Sequence, residues 1–61
     1  MDDIFEMIHD GYTFQISKEA VVNNSKIYGR YVDRGGAVQR ILKKSVYGQV
    51  VRMKLVNNFM K

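Results

Sequence analysis

The chain is 61 residues long, with ten basic and six acidic side chains, a net charge of +4, no cysteine and a single histidine. It has room for one domain, 1–61, and a domain this short buries only about 60% of the surface its unfolded chain exposes. Disulfides, thiolate metal sites and a cysteine nucleophile are excluded, so self-association is the expected reinforcement and a homo-oligomer the expected state.

The charge divides along the chain. Residues 1–25 form an acidic head, with Lys18 alone against Asp2, Asp3, Glu6, Asp10 and Glu19, one positive charge against five negative. Residues 26–61 form a basic body, in which nine lysines and arginines face Asp33 alone. Such asymmetry points to a polyanion, because phosphate contacts supply most sequence-independent affinity for nucleic acid. The competing explanations are solubility and an acidic protein partner. No apolar run approaches bilayer length, so no membrane partner is expected. The opening "MDDIFEMIHD" is acidic where a secretory signal is basic, and a cytoplasmic location is expected.

In chain order, Asp2 and Asp3 stand where a helix wants caps, and Ile4, Phe5 and Ile8 make one apolar stripe. The spacing predicts a short N-terminal helix stopped at Asp10-Gly11. The competing arrangement is a strand joined through Asp10-Gly11 to the next, since Asp-Gly is a hairpin signal. "YTFQIS" alternates Tyr12, Phe14 and Ile16 with polar residues, a half-buried strand. Ser17 either caps one helical turn or lets the strand run on, and Asn23-Asn24-Ser25 is a turn cluster. "KIYGRYV" is a strand with Gly29 at a bulge or close approach.

Residues 37–44 read two ways. A helix gathers Val38, Ile41 and Leu42 on one side and Arg40, Lys43 and Lys44 on the other. Yet two glycines in its first turn cost about 1 kcal/mol each, whereas a hairpin loop over "DRGG" wants them. The hairpin is preferred, with the amphipathic helix as the alternative. "YGQVVRMKLV" alternates Val51, Met53 and Leu55 with Arg52 and Lys54, which predicts a third strand and a meander of 27–32, 37–43 and 49–56. Left as an edge, that strand would invite a second copy.

No catalytic constellation emerges, and no enzyme activity is expected. On a helix the adjacent His9 and Asp10 point apart, no second histidine exists, and "DRGG" lacks the pattern of a phosphate loop. Met7, Met53 and Met60 read as fillers rather than ligands. No metal, cofactor or small-molecule substrate is expected. Tyr28, Tyr31 and Tyr47 interleave with arginines, which suits stacking on unpaired bases, though tyrosines on a small sheet more often bury their rings.

"YVDRGGAVQRIL" followed by "YGQVVRMKLVNN" resembles the short three-stranded DNA-binding modules that accompany phage homing endonucleases. The likeness covers about half the chain, brings no histidine-rich nuclease segment, and is not a family assignment. The expected fold is α+β: a short N-terminal helix on a three- to four-stranded antiparallel sheet, with a small SH3-like barrel as the alternative. The expected function is a non-catalytic DNA- or RNA-binding regulator of phage or plasmid type. Arg30, Arg34, Arg40, Lys43, Lys44, Arg52 and Lys54 would meet phosphates, and Tyr28, Tyr31 and Tyr47 would stack. The alternative is an inhibitor or adaptor that binds an acidic or nucleic-acid-handling protein.

Overall fold

The computed structural model describes residues 4–59. Asp2 and Asp3, expected as helix caps, and Met60, expected as a filler, lie outside them. The expected N-terminal helix is instead a strand, β1 (Ile4–His9), which pairs along its whole length with β2 (Tyr12–Ser17). The turn decides this. Asp10 and Gly11 have φ of 54° and 80°, both positive, as a two-residue type I′ hairpin requires. Once closed, the hairpin turns Phe5, Met7 and His9 to one face. Ile4 and Ile8, read as part of a buried stripe, turn to the other and stay 54% and 72% exposed.

Ser17 ends β2 and caps a single helical segment, α1 (Lys18–Val22), its side chain accepting a hydrogen bond from the Ala20 N–H at 3.2 Å. α1 buries Val21, and the Asn23-Asn24-Ser25 turn follows with Asn24 at φ 59°. Next come β3 (Ile27–Val32) and β4 (Val38–Leu42), antiparallel, with a register shift between Ile27 and Gly29 that makes the expected bulge. Gly29 lies so close to β2 that a Cβ would strike the Gln15 carbonyl oxygen.

The hairpin therefore forms over 33–37, and Asp33 organises it. The Asp33 carboxylate accepts from the Gly35 and Ala37 N–H groups at 2.9 Å each and from the Gln39 amide at 2.8 Å. Only the second loop glycine takes the left-handed conformation, with Gly36 at φ 86°.

The predicted third strand is a helix, α2 (Val46–Phe59). Ser45 caps it, its hydroxyl oxygen accepting from the Gly48 N–H at 3.0 Å. Val51 and Leu55 are buried with Tyr47 and Val50 packed beside them, while Met53, which alternation would place with Val51 and Leu55, is 70% exposed. The alternation was real but coincided with an i, i+4 spacing. The sheet is a simple open meander, β1-β2-β3-β4, not a barrel, and both helices lie on its inner face. Met7, Phe14, Ile16, Tyr28 and Ile41 meet Val21, Val51 and Leu55 there. Among the described residues no helix is long and apolar enough to cross a membrane.

Three outcomes follow from this packing. Gly48→Ala should cost about 1–3 kcal/mol in denaturant unfolding, because its Cβ would collide with the Leu42 and Lys43 carbonyl oxygens where α2 leaves β4. Gly36→Ala should cost about 1 kcal/mol and Gly35→Ala much less, since only Gly36 has positive φ. Equal effects at the two positions would contradict the loop geometry. The third outcome concerns acid. Hydrogen bonding, first from the Gln39 side chain and then from the Ala37 N–H, holds the Asp33 carboxyl below its ordinary pKa. A lowered folded-state pKa adds stability that is complete above the unfolded value and is lost as pH falls through the folded one. Melts across that acid window should show a decline that Asp33→Asn lessens.

Candidate functional site

Among the described residues nothing covers the face of the sheet away from the helices, and it is ordered in rows. Register sets Glu6 opposite Gln15, Gln15 opposite Arg30, and Arg30 opposite Arg40, one residue from each strand. The row is hydrogen-bonded through half its length. Arg30 Nε donates to Gln15 Oε1 at 3.3 Å, and Gln15 Nε2 donates to Glu6 Oε2 at 3.4 Å. Aliphatic side chains flank it on both sides: Ile8, Val32 and Val38 toward the hairpin turns, Ile4, Ile27 and Leu42 toward the other end, all 40–72% exposed. A shallow groove of about 450 Å³ opens beside the bulge, with Arg30 and Arg40 on its wall.

The seven expected phosphate contacts do not share one face. Arg30 and Arg40 are on the open sheet. Arg34 is in the far turn, its guanidinium 5.8 Å from the centre of the Tyr12 ring. Lys43 and Lys44 leave β4 at the opposite end, and the Lys43 N–H donates to the Lys26 carbonyl at 2.8 Å. Arg52, on α2, borders the same end, where its Nη1 reaches Asn24 Oδ1 at 3.3 Å and the Tyr28 hydroxyl at 3.4 Å. Lys54 is exposed two residues further along the helix. The structure thus sets Lys43 and Lys44 beside Lys26, which sequence reasoning left out, and holds Arg52 against Asn24 and Tyr28, the residues that flank Lys26. Only the pairing of Ile27 with Leu42 places Lys26 beside Lys43, and no local pattern reveals that register.

Tyr28 belongs to the core, and Tyr31 and Tyr47 pack half-buried against it. Tyr28 has no exposed surface, turned inward at the bulge with its hydroxyl donating to Asn24 Oδ1 at 3.3 Å. Tyr31 and Tyr47 pack on Phe14 with ring centres at 5.3 and 4.9 Å, and on each other at 5.4 Å. Tyr28 offers no face to a base, and Tyr31 and Tyr47 spend theirs largely on other rings.

His9 and Asp10 do not point apart. Because 4–9 is a strand ending in a tight turn, His9 Nε2 comes within 3.8 Å of Asp10 Oδ2, and the same oxygen accepts from the Tyr47 hydroxyl at 3.1 Å. Burial, and then this bond, raise the Tyr47 pKa. The cluster ties the first hairpin to α2.

The acids and bases are used differently. Glu6, Asp10 and Asp33 accept hydrogen bonds from within the fold. Among the described residues none of the seven basic side chains, nor Lys26, stands within 4.0 Å of a carboxylate. No group of three or more potential metal ligands occurs among those residues either. The likeness to three-stranded modules ends at β4, because its last strand is α2. Comparisons with protein-family models, with curated proteins and with solved structures found no match.

Proposed function

We propose that this chain is a small non-catalytic nucleic-acid-binding protein whose contact surface is the sheet end formed by Lys26, Lys43, Lys44 and Arg52. The supporting observation is the unequal use of charge. The fold engages Glu6, Asp10 and Asp33 in its own hydrogen bonds and leaves these cations without carboxylate partners among the described residues. An unneutralised cation cluster on a rigid sheet end suits backbone phosphates, whose binding releases counterions. With Tyr28 inside the core and Tyr12, Tyr31 and Tyr47 packed against it, the contact is to phosphate rather than to stacked bases. Binding of this kind is largely independent of sequence. A second reading, an inhibitor or adaptor for an acidic protein, is favoured by the exposed aliphatic side chains of the open sheet face, which phosphate recognition does not use.

The test is a Lys43→Glu, Lys44→Glu double variant titrated with random duplex and single-stranded oligonucleotides over a range of salt. Affinity should fall for all sequences alike, and the slope of log K against log salt should lessen by roughly one unit per lost contact. Stability should change by less than about 0.5 kcal/mol per site, since neither side chain holds a partner among the described residues. Full binding by the double variant would remove this surface and move the acidic-protein reading to first place.

A further inference from the structure

We infer that the open sheet face is a homodimer interface, in which two copies stack face to face about a two-fold axis parallel to the strands and passing between β2 and β3. The charge order across the face carries the proposal. From β1 to β4 the central row reads Glu6, Gln15, Arg30, Arg40: negative, neutral, positive, positive. A two-fold along the strands reverses that order on the second copy. Glu6 then faces Arg40 of the partner subunit, and Gln15 faces Arg30 of the partner subunit. The flanking rows match as well, with Ile8 meeting Val38 and Ile4 meeting Leu42. A two-fold across the strands would instead set Glu6 on Glu6 and Arg40 on Arg40, which like-charge repulsion rejects.

Two further observations point the same way. Arg30 and Arg40 are directly opposed on adjacent strands with no carboxylate of the described residues within ion-pair distance, an arrangement that destabilises a lone sheet. Glu6 of the partner subunit supplies the missing charge beside them. The face is also too aliphatic for nucleic acid, and every described tyrosine packs into or against the core on the other side. Four strands about 4.8 Å apart, with five or six residues at about 3.3 Å each, give a footprint on the order of 19 by 18 Å. Two such faces make roughly 700 Å² of planar area, below the roughly 1,200 Å² where standard specific interfaces begin, so the dimer belongs to the small, weak class. Paired sheets about 10 Å apart would cover the sheet face that the two helices leave open, adding buried apolar area to a domain of only 61 residues without cysteine.

Sedimentation equilibrium on the full chain tests the register as well as the dimer. The wild type should sediment at twice the chain mass at about 100 µM, a concentration well above micromolar dissociation constants. Glu6→Arg and Arg40→Glu should each raise the dissociation constant at least tenfold by setting like charges against each other. The combined Glu6→Arg, Arg40→Glu variant restores the opposition and should recover the wild-type value within about threefold. Val38→Asp should dissociate the dimer at unchanged helix and strand content by circular dichroism. A monomeric wild type at that concentration overturns the proposal, and in that case another protein is the candidate to cover the face. A dimer indifferent to Val38→Asp, or single variants that the double reversal does not rescue, overturns it equally. None of these substitutions touches Lys26, Lys43, Lys44 or Arg52, so loss of the dimer and loss of nucleic-acid binding are read separately.

Discussion

Phe14 has no exposed surface, and the rings of His9, Tyr31 and Tyr47 meet its own at 4.9–5.9 Å between centres. These partners come from β1, β3 and α2, so one side chain in an inner strand draws three other elements into contact. Truncating a buried Phe typically costs about 3–5 kcal/mol, a large part of the roughly 5–15 kcal/mol that holds a small domain together. The cluster also fixes the direction of α2. Tyr47 must reach over Phe14, Gly48 must pass against the Leu42 carbonyl, and Val51 and Leu55 then land on the inner face.

Covering Phe14 consumes the apolar material available for a second layer. Two helices cover one sheet face, and the other is left to solvent with its aliphatic rows and its row of charge. The same economy sorts the ionisable groups. Asp33 and Asp10 are spent on the second hairpin and on the link between the first hairpin and α2, while Lys26, Arg30, Arg34, Arg40, Lys44, Arg52 and Lys54 stand exposed. Two surfaces of different chemistry result: a cationic sheet end suited to phosphate, and a sheet face suited to a second copy. They are compatible. A two-fold parallel to the strands maps each sheet end onto the same end of the pair, so both clusters of Lys26, Lys43 and Lys44 would lie side by side. Two adjoining phosphate sites on one rigid body would bind a continuous backbone more tightly than either alone.

Much of the fold is legible in the chain. The alternation of "YTFQIS", the Asn-rich turn, the Gly29 bulge and the "DRGG" loop each follow from local chemistry. A residue type there permits or forbids a backbone conformation with little regard to its distant neighbours. Composition likewise establishes the absence of cysteine and the split between an acidic head and a basic body. The candidate site is legible only as an inventory of cations.

Tertiary structure decided the rest. "DDIFEMIHDG" satisfies a short helix and a strand equally well by pattern, and it is a strand because β2 offers six residues of ladder that a two-turn helix could not match. "VVRMKLV" satisfies a strand and a helix, and it is a helix because the sheet's inner face needs a cover that the five residues of α1, with Val21 alone buried, do not supply. In both segments the local preferences nearly balance, so long-range burial chooses. The grouping of the cations was undecidable for a related reason: side chains far apart in sequence become neighbours only through register. The pairing of Ile27 with Leu42 and of Arg30 with Arg40 is set by the bulge at Tyr28, whose ring must turn inward to be buried.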